Sequence, residues 1–228
     1  MSTLYTTQSV SSLPKTGSVT AAIDSIKLTR IRVILRNVRL KSDNESEVEM
    51  EHSNTSDNST SSDDSTQRLK PFVLDLNLTG GLQQVSLTNV PLGTYNRFEF
   101  QIHKVNQTEI DSLSASEQAA FTDFLNGGNY SIIINGTIYK NNQASSFEYK
   151  SEIDVEIEKT LNPPLTITQS QTTFNLTLEI SSASWFVDQN STLLDPTDPQ
   201  NFTTIEHNLK SFLKVFKDNN HDGKEDKD

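Results

Sequence analysis

The chain lacks cysteine altogether, which excludes disulfide bridges, thiolate metal sites and a cysteine nucleophile. It also lacks any apolar run near the roughly 18 residues that a membrane-spanning helix needs, so no membrane span is expected. Basic residues are scarce: 19 Lys and Arg stand against 30 Asp and Glu, and the formal net charge is −11. Because nucleic-acid binding needs a basic surface, the composition predicts no nucleic-acid partner.

Hydrophobic residues make up only 33% of the 228 residues, so long polar segments must dilute a core of ordinary composition. Two such segments stand out. Residues 1–17 are rich in Ser and Thr and are predicted to be a flexible N-terminal segment. Residues 41–69 are nearly free of apolar side chains and cannot bury enough surface to offset the entropy of ordering them. We therefore predict a disordered acidic insertion at 41–69.

Between these segments, apolar and polar residues alternate with the period of two that is typical of strands with one buried face. Residues 70–105 are predicted to form three strands, joined by turns at 79–81 and 91–93. The alternation recurs at 129–140, 145–159 and 174–180, and two prolines at 163–164 are predicted to break the chain between the last two. The sequence therefore predicts a mainly β, antiparallel domain over 18–197.

The first long β segment, 18–40, changes the parity of its apolar positions partway along, which predicts a bulge. It also carries the one basic cluster of the chain: Arg30, Arg32, Arg36 and Arg39. We interpret these arginines as strand-face residues that pair with neighbouring carboxylates. A contact with an anion or a polysaccharide is the alternative.

Two helices are predicted. Ser114 and Glu117 form a capping box, and they place a crossover helix of about three turns at 111–126. Asp198 and Pro199 form a helix start, and apolar residues then recur at helical spacing. We therefore predict a C-terminal amphipathic helix over 198–217.

The tail 218–228 matches an EF-hand-type calcium loop in its first nine positions. Gly223 permits the sharp turn that lets oxygen ligands converge, and Lys224 would supply a backbone carbonyl. The bidentate acid of position 12 is missing, so a weakened site is expected. The candidate calcium ligands are Asp218, Asn220, Asp222, Lys224 and Asp226. A charged, frayed tail is the alternative.

No catalytic constellation stands out. His52, His103, His207 and His221 share no ligand or triad spacing, and no G-x-S-x-G motif occurs. His103 is interpreted as a packed or half-exposed residue of a strand rather than a base. The sequence therefore predicts a protein that is not an enzyme, with a hydrolase as the less favoured alternative.

Three segments carry a family resemblance: 23–43, 71–81 and 89–105, the last with a V-P-x-G-x-Y turn at 90–95. They resemble uncharacterised exported domains of bacteria and archaea, often on lipoproteins and classed as a domain of unknown function. The likeness covers 18–159. It implies an immunoglobulin- or transthyretin-like sandwich, an extracellular or cell-surface location, and a leader or lipid anchor encoded before Met1.

The favoured hypothesis is a non-enzymatic, exported or surface-anchored module that has a cell-surface polysaccharide or protein partner and binds calcium at its tail. The alternative is a carbohydrate-binding or adhesive module. Such a module would need an exposed aromatic platform, for which Trp185, Tyr130, Tyr139 and Tyr149 are the candidates.

Overall fold

The computed structural model describes residues 2–6, 23–42, 70–78, 83–84, 92–169, 176–182, 184–211 and 213–217. The strands are β1 (Ser2–Thr6), β2 (Ile23–Lys41), β3 (Phe72–Asp75), β4 (Gln83–Gln84), β5 (Gly93–Ile102), β6 (Ile132–Lys140), β7 (Gln143–Ser151), β8 (Val155–Ile167), β9 (Leu176–Ser181) and β10 (Leu213–Lys217). The helices are α1 (Gln107–Ile110), α2 (Ala115–Ala119), α3 (Thr122–Leu125) and α4 (Phe202–Ser211), the last preceded by a 3-10 turn (Pro199–Asn201). The prediction of a mainly β fold is confirmed.

The strands form two sheets. The larger is antiparallel and runs β7-β6-β2-β5-β8, with β3 also paired to β2. The smaller runs β10-β9-β1-β4, with β1 parallel to β9. β2 is the centre of the larger sheet, because its 19 residues pair with β6 on one edge and with β3 and β5 on the other.

β2 contains the predicted irregularity. Its register shifts between Leu28 and Arg30 opposite β6, and again between Arg36 and Arg39 opposite β5. Asn37, inside the second shift, has a φ of 54°, a conformation that Asn tolerates better than most residues. Each bulge moves the buried positions to the other parity, so the change of parity in the sequence is explained.

The larger sheet is strongly curled. Ser151 ends β7 and Val155 begins β8, yet these strands lie at opposite ends of the five-strand order. Four strand spacings in a flat sheet span ~19 Å. Four residues of extended chain reach at most ~14 Å. The sheet must therefore curl at this end until its two edge strands approach each other.

Apolar residues pack on both sides of this sheet. The main core includes Ile31, Phe98, Phe100, Ile134 and Tyr149. A second cluster lies beneath the short helices and comprises Ile34, Val105, Ile110, Leu113, Phe121, Phe124 and Ile133. The helices α1 to α3 thus cover one side of β2 and β6.

The single crossover helix predicted at 111–126 is wrong. The capping box at Ser114 and Glu117 is present, but it starts α2, which ends at Ala119. Ser114 has a ψ of 155°, as an N-cap requires, so a helix cannot run through it from Asp111. A second capping box, formed by Asn106 and Glu109, starts α1.

The predicted C-terminal helix over 198–217 is too long. Asp198 does cap the helical start, since its side chain accepts a hydrogen bond from the backbone of Gln200 at 3.0 Å. The helix ends at Ser211, and Leu213–Lys217 forms β10, antiparallel to β9. The short sequence LKVFK contains Val and Phe, which favour strands, and pairing along β9 satisfies its backbone groups.

Three further predictions are corrected. Residues 2–6 form β1 instead of part of a flexible segment; their Thr, Leu and Tyr favour strands. β3 and β4 lie in different sheets, so 70–105 does not form one meander. The prolines at 163–164 do not break β8, since they lie in a register shift on an edge strand, where a missing N–H is tolerated.

Within the predicted insertion, residues 43–69 lie outside the described residues.

Candidate functional site

A groove of about 580 Å³ opens between β7, the first half of α4 and the start of β6. We call it the Tyr149 groove. Its walls combine aromatic rings with charged side chains: Tyr130, Glu148, Tyr149, Lys150, Glu152, Phe202 and Glu206. Five of the seven residues belong to β7 and α4, whereas Tyr130 lies just before β6 and Glu152 just after β7.

Tyr149 forms the buried part of the wall. The alternation along β7 places Phe147, Tyr149 and Ser151 on its inner side. The Tyr149 side chain is only 1% exposed, and its ring makes edge contacts with Phe186 and Phe202, at centroid distances of 6.1 and 5.4 Å. These contacts fix the ring, because aromatic pairs at this spacing are favourable beyond their buried area.

The hydroxyl of Tyr149 has no hydrogen-bond partner within the part of the chain that the structure describes. The neighbouring Ser151 hydroxyl donates to Glu206 Oε1, at 3.2 Å. Burial raises the pKa of Tyr149 well above its ordinary value, and the negative charge of Glu206 raises it further, whereas the interaction of the Ser151 hydroxyl with the phenol acts to lower it. The phenol is therefore neutral at physiological pH, with both a donor and an acceptor available.

The charged side chains of the groove differ in how closely they are paired with groups of opposite charge. Lys150 Nζ lies 3.3 Å from Glu148 Oε1 and 5.0 Å from the centre of the Tyr130 ring. It also donates to the backbone carbonyls of Asp123 and Asn126, at 3.4 and 3.5 Å. Glu152 lies 4.0 Å from Lys104, and both side chains are exposed. Three carboxylates against one ammonium give the lining a net charge of −2.

A second polar cluster surrounds His103, just beyond the end of β5. Its Nδ1 lies 3.1 Å from Asp154 Oδ2, and its Nε2 lies 2.9 Å from Glu109 Oε1. Arg36 donates to Glu109 at 2.7 Å, and Gln101 donates to Asp154 at 2.6 Å. The cluster ties β2, β5 and α1 to the link between β7 and β8.

The His103 cluster is a structural network. His103 is 7% exposed, and both of its ring nitrogens face carboxylates, so neither is open to a substrate. Burial alone would raise the pKa of Glu109. The hydrogen bonds from His103 and from the backbone N–H of Asn106, together with the charge of Arg36, outweigh burial and lower it. Glu109 therefore stays ionised and caps α1.

Sequence reasoning missed this cluster. His103 was interpreted as a packed or half-exposed strand residue, and it is buried, but it follows the strand and lies between two acids. Asp154 is 51 residues from His103 along the chain and Glu109 is 6 residues from it, so no fixed sequence spacing predicts these two contacts. The capping box formed by Asn106 and Glu109 was the one local signal in the sequence.

The four arginines of β2 all pair with carboxylates, as interpreted from the sequence. Arg30 pairs with Asp75 at 2.5 Å, Arg32 with Asp123 at 2.7 Å and Arg36 with Glu109 at 2.7 Å. Arg39 pairs with Glu99, which lies directly opposite on β5. An anion or polysaccharide would have to compete with these pairs, so the alternative interpretation gains no support.

The four candidate platform aromatics do not form a platform. Trp185 is 3% exposed and Tyr149 is 1% exposed, so neither can stack on a sugar from outside. Tyr130 and Tyr139 are half-buried. Of these two half-buried rings, Tyr130 lines the groove, and Lys150 already lies over it.

The predicted calcium ligands at 218–226 lie outside the described residues. Within the described ranges, no group of three or more His, Asp or Glu side chains is arranged to hold a metal ion. Over the same ranges, no helix is both long enough and apolar enough to cross a bilayer.

The chain matches no protein-family model, no curated protein and no solved structure.

Proposed function

We propose that this protein is a non-enzymatic, exported or surface-anchored binding module of the immunoglobulin- or transthyretin-like sandwich type, and that the Tyr149 groove holds its ligand. The observation that carries the proposal is the buried Tyr149 hydroxyl, which lacks a partner among the described residues and lies in a concave, aromatic and charged wall. Pockets that bind ligands combine an apolar lining with a few convergent polar groups. Buried polar groups without partners are rare and call for an explanation.

Binding is favoured over catalysis by what the described polar groups already do. His103 is held on both ring nitrogens, so it has no free position from which to move a proton. The arginines of β2 are engaged in ion pairs, as shown above. Most of the recognition groups of the groove lie on β7 and α4, and sites on regular secondary structure are more rigid than sites on loops.

A carbohydrate ligand is the second candidate. Tyr130 and Phe202 are half-buried aromatic rings of the groove, and carboxylates accept hydrogen bonds from hydroxyl groups such as those of a sugar. The exposed aromatic surface is small, however, and an ammonium group already occupies one face of the Tyr130 ring. We therefore place a sugar second.

The groove is tested by titrating small-fragment mixtures into the isotopically labelled full chain and mapping the backbone shifts by NMR. We expect the largest shifts at Tyr130, Tyr149 and Phe202 and their neighbours. A screen whose hits all map to another surface, or that yields no hit, would contradict the proposal.

We also propose that the tail binds calcium through Asp218, Asn220, Asp222, Lys224 and Asp226. Calorimetric titration of the full chain should show weak calcium binding, and Asp222→Ala should weaken it by about tenfold or more, because it removes a charged oxygen ligand. Asp228→Ala, which removes the same charge outside the ligand set, is the control. The absence of a heat signal with the parent protein, or equal losses of calcium affinity in both variants, would show that these residues do not form a calcium site.

Export is tested separately, by fractionating the native cells. The proposal expects the protein outside the cytosol or on the cell surface, and a purely cytosolic pool would contradict it.

A further inference from the structure

We infer that the Tyr149 groove selects an organic cation, and that its ligand is a lysine or arginine side chain presented by an extended segment of a protein partner. This inference rests on the proposed function, since it names the chemistry of the ligand in the same groove. It follows from the charge of the lining, from its aromatic walls and from the state of the Tyr149 hydroxyl.

The charge of the lining favours a positive group. The ammonium of Lys150 is already engaged by Glu148 and by two backbone carbonyls. Among the residues that the structure describes, Glu206 accepts one hydrogen bond, from Ser151, and Glu152 pairs with one distant, exposed lysine. A carboxylate offers about four acceptor positions, so both acids have positions for further donors. An anionic ligand would be repelled by the same groups.

The aromatic walls favour a cation as well. Tyr130 and Phe202 line the groove, and the faces of such rings attract ammonium and guanidinium groups within about 6 Å. The contact of Lys150 with Tyr130, at 5.0 Å, shows that this wall already accommodates one cation. Guanidinium is weakly hydrated and planar, so it can stack on a ring while it donates to a carboxylate.

The Tyr149 hydroxyl supplies an independent argument. It is neutral at physiological pH, buried and without a hydrogen-bond partner among the described residues. A ligand N–H that reaches past Glu206 would satisfy its oxygen, and beside that carboxylate a charged ammonium or guanidinium donor is favoured over a neutral one. A ligand acceptor could take only the O–H of the phenol, and it would face the negative charge of Glu206.

The volume of the groove favours a basic side chain that is carried by a peptide backbone over a free small cation. At about 580 Å³ the groove is much larger than one guanidinium group. It can therefore hold a basic side chain together with its neighbours. The net charge of −11 would also steer a basic segment toward the protein.

The test is calorimetric titration of the full chain with acetyl-Gly-Arg-Gly-amide and with the same peptide carrying citrulline, a neutral isostere of arginine. We expect citrulline to weaken binding by about tenfold, since it removes the charge but keeps the shape. Glu206→Gln should weaken binding of the arginine peptide by about three- to tenfold, and Tyr149→Phe by about threefold, because each removes one polar group and keeps the packing. Glu156→Gln removes the same charge on exposed β8, outside the groove lining, and should change affinity less than about twofold.

Equal binding of the two peptides would overturn the inference, and so would a loss in Glu156→Gln as large as that in Glu206→Gln. If methylguanidinium binds as tightly as the arginine peptide, the ligand is a small cation and the assignment to a protein segment fails. If neutral saccharides shift the groove resonances and the arginine peptide does not, the inference fails and the proposed function stands. If no probe shifts them, both fail.

Discussion

Replacing Glu99 with alanine is expected to lower the free energy of unfolding by about 2–4 kcal/mol. The Glu99 side chain is 1% exposed, although it is a carboxylate in the middle of β5. Its two oxygens contact the guanidinium of Arg39 and the ammonium of Lys41, both on β2. The alternation along β5 sends Phe98 and Phe100 into the core and leaves Glu99 on the opposite side of the strand.

The loss follows from the burial of the carboxylate. Removing one partner from a buried ion pair leaves the remaining charge partly desolvated and without compensation. Arg39 and Lys41 are 31% and 22% exposed, so they regain some hydration, which keeps the effect below that of a fully buried pair. Urea denaturation measures the change through its midpoint at unchanged slope.

Glu158→Ala is the matched control for Glu99→Ala. Glu158 lies opposite Glu99 on β8 and joins the same cluster, 3.8 Å from Lys41 and 3.4 Å from Arg97, but its side chain is 42% exposed. Exposed pairs contribute about 0–1 kcal/mol. Equal losses in the two variants would show that burial does not set the strength of this cluster.

Gly136→Ala is expected to destabilise the protein by about 3 kcal/mol. A Cβ at Gly136 would lie 2.5 Å from a ring carbon of Phe147 and 2.6 Å from the backbone carbonyl oxygen of Lys27. The Phe147 ring is itself packed against Phe186, at 6.0 Å between centroids. Neither neighbour can move away cheaply, because one is backbone and the other is part of the core.

The control for Gly136→Ala is Gly93→Ala, at the start of β5. There the added Cβ would meet only Tyr95, at an ordinary contact distance of 3.8 Å. We expect a change within about 0.5 kcal/mol. Adding Phe147→Leu to Gly136→Ala should recover only part of the loss, since the carbonyl clash stays. Thermal or urea unfolding that leaves Gly136→Ala as stable as the parent would contradict the close approach of β6 to β2 and β7.

Much of the larger sheet could be predicted from local sequence. The period of two located β5 and β6, and the change of parity in β2 predicted its bulges, because both signals depend on which face of one strand is buried. The single strand predicted at 145–159 is wrong, since the chain leaves β7 at Ser151 and enters β8, at the other edge of the sheet, at Val155. The capping box at Ser114 correctly marked a helix start. These features are local, so the sequence shows them directly.

What the sequence did not reveal depends on partners that are distant along the chain. Residues 213–217 carry apolar side chains that fit a helical stripe as well as a strand, and their pairing with β9 decides between the two. The Tyr149 groove needs β7 and α4 to meet, although Tyr149 and Glu206 are far apart in sequence. Tyr149 was considered for a sugar platform, and its burial instead makes it the inner wall of the groove.

The central claim is that the Tyr149 groove binds a basic side chain, and its most direct measurement is a crystal structure of the full chain with the arginine peptide. We expect the guanidinium between the Tyr130 and Phe202 walls, with donors within about 3 Å of Glu206 and of the Tyr149 hydroxyl. A peptide bound on another surface, or a guanidinium that points away from the groove into solvent, would contradict it.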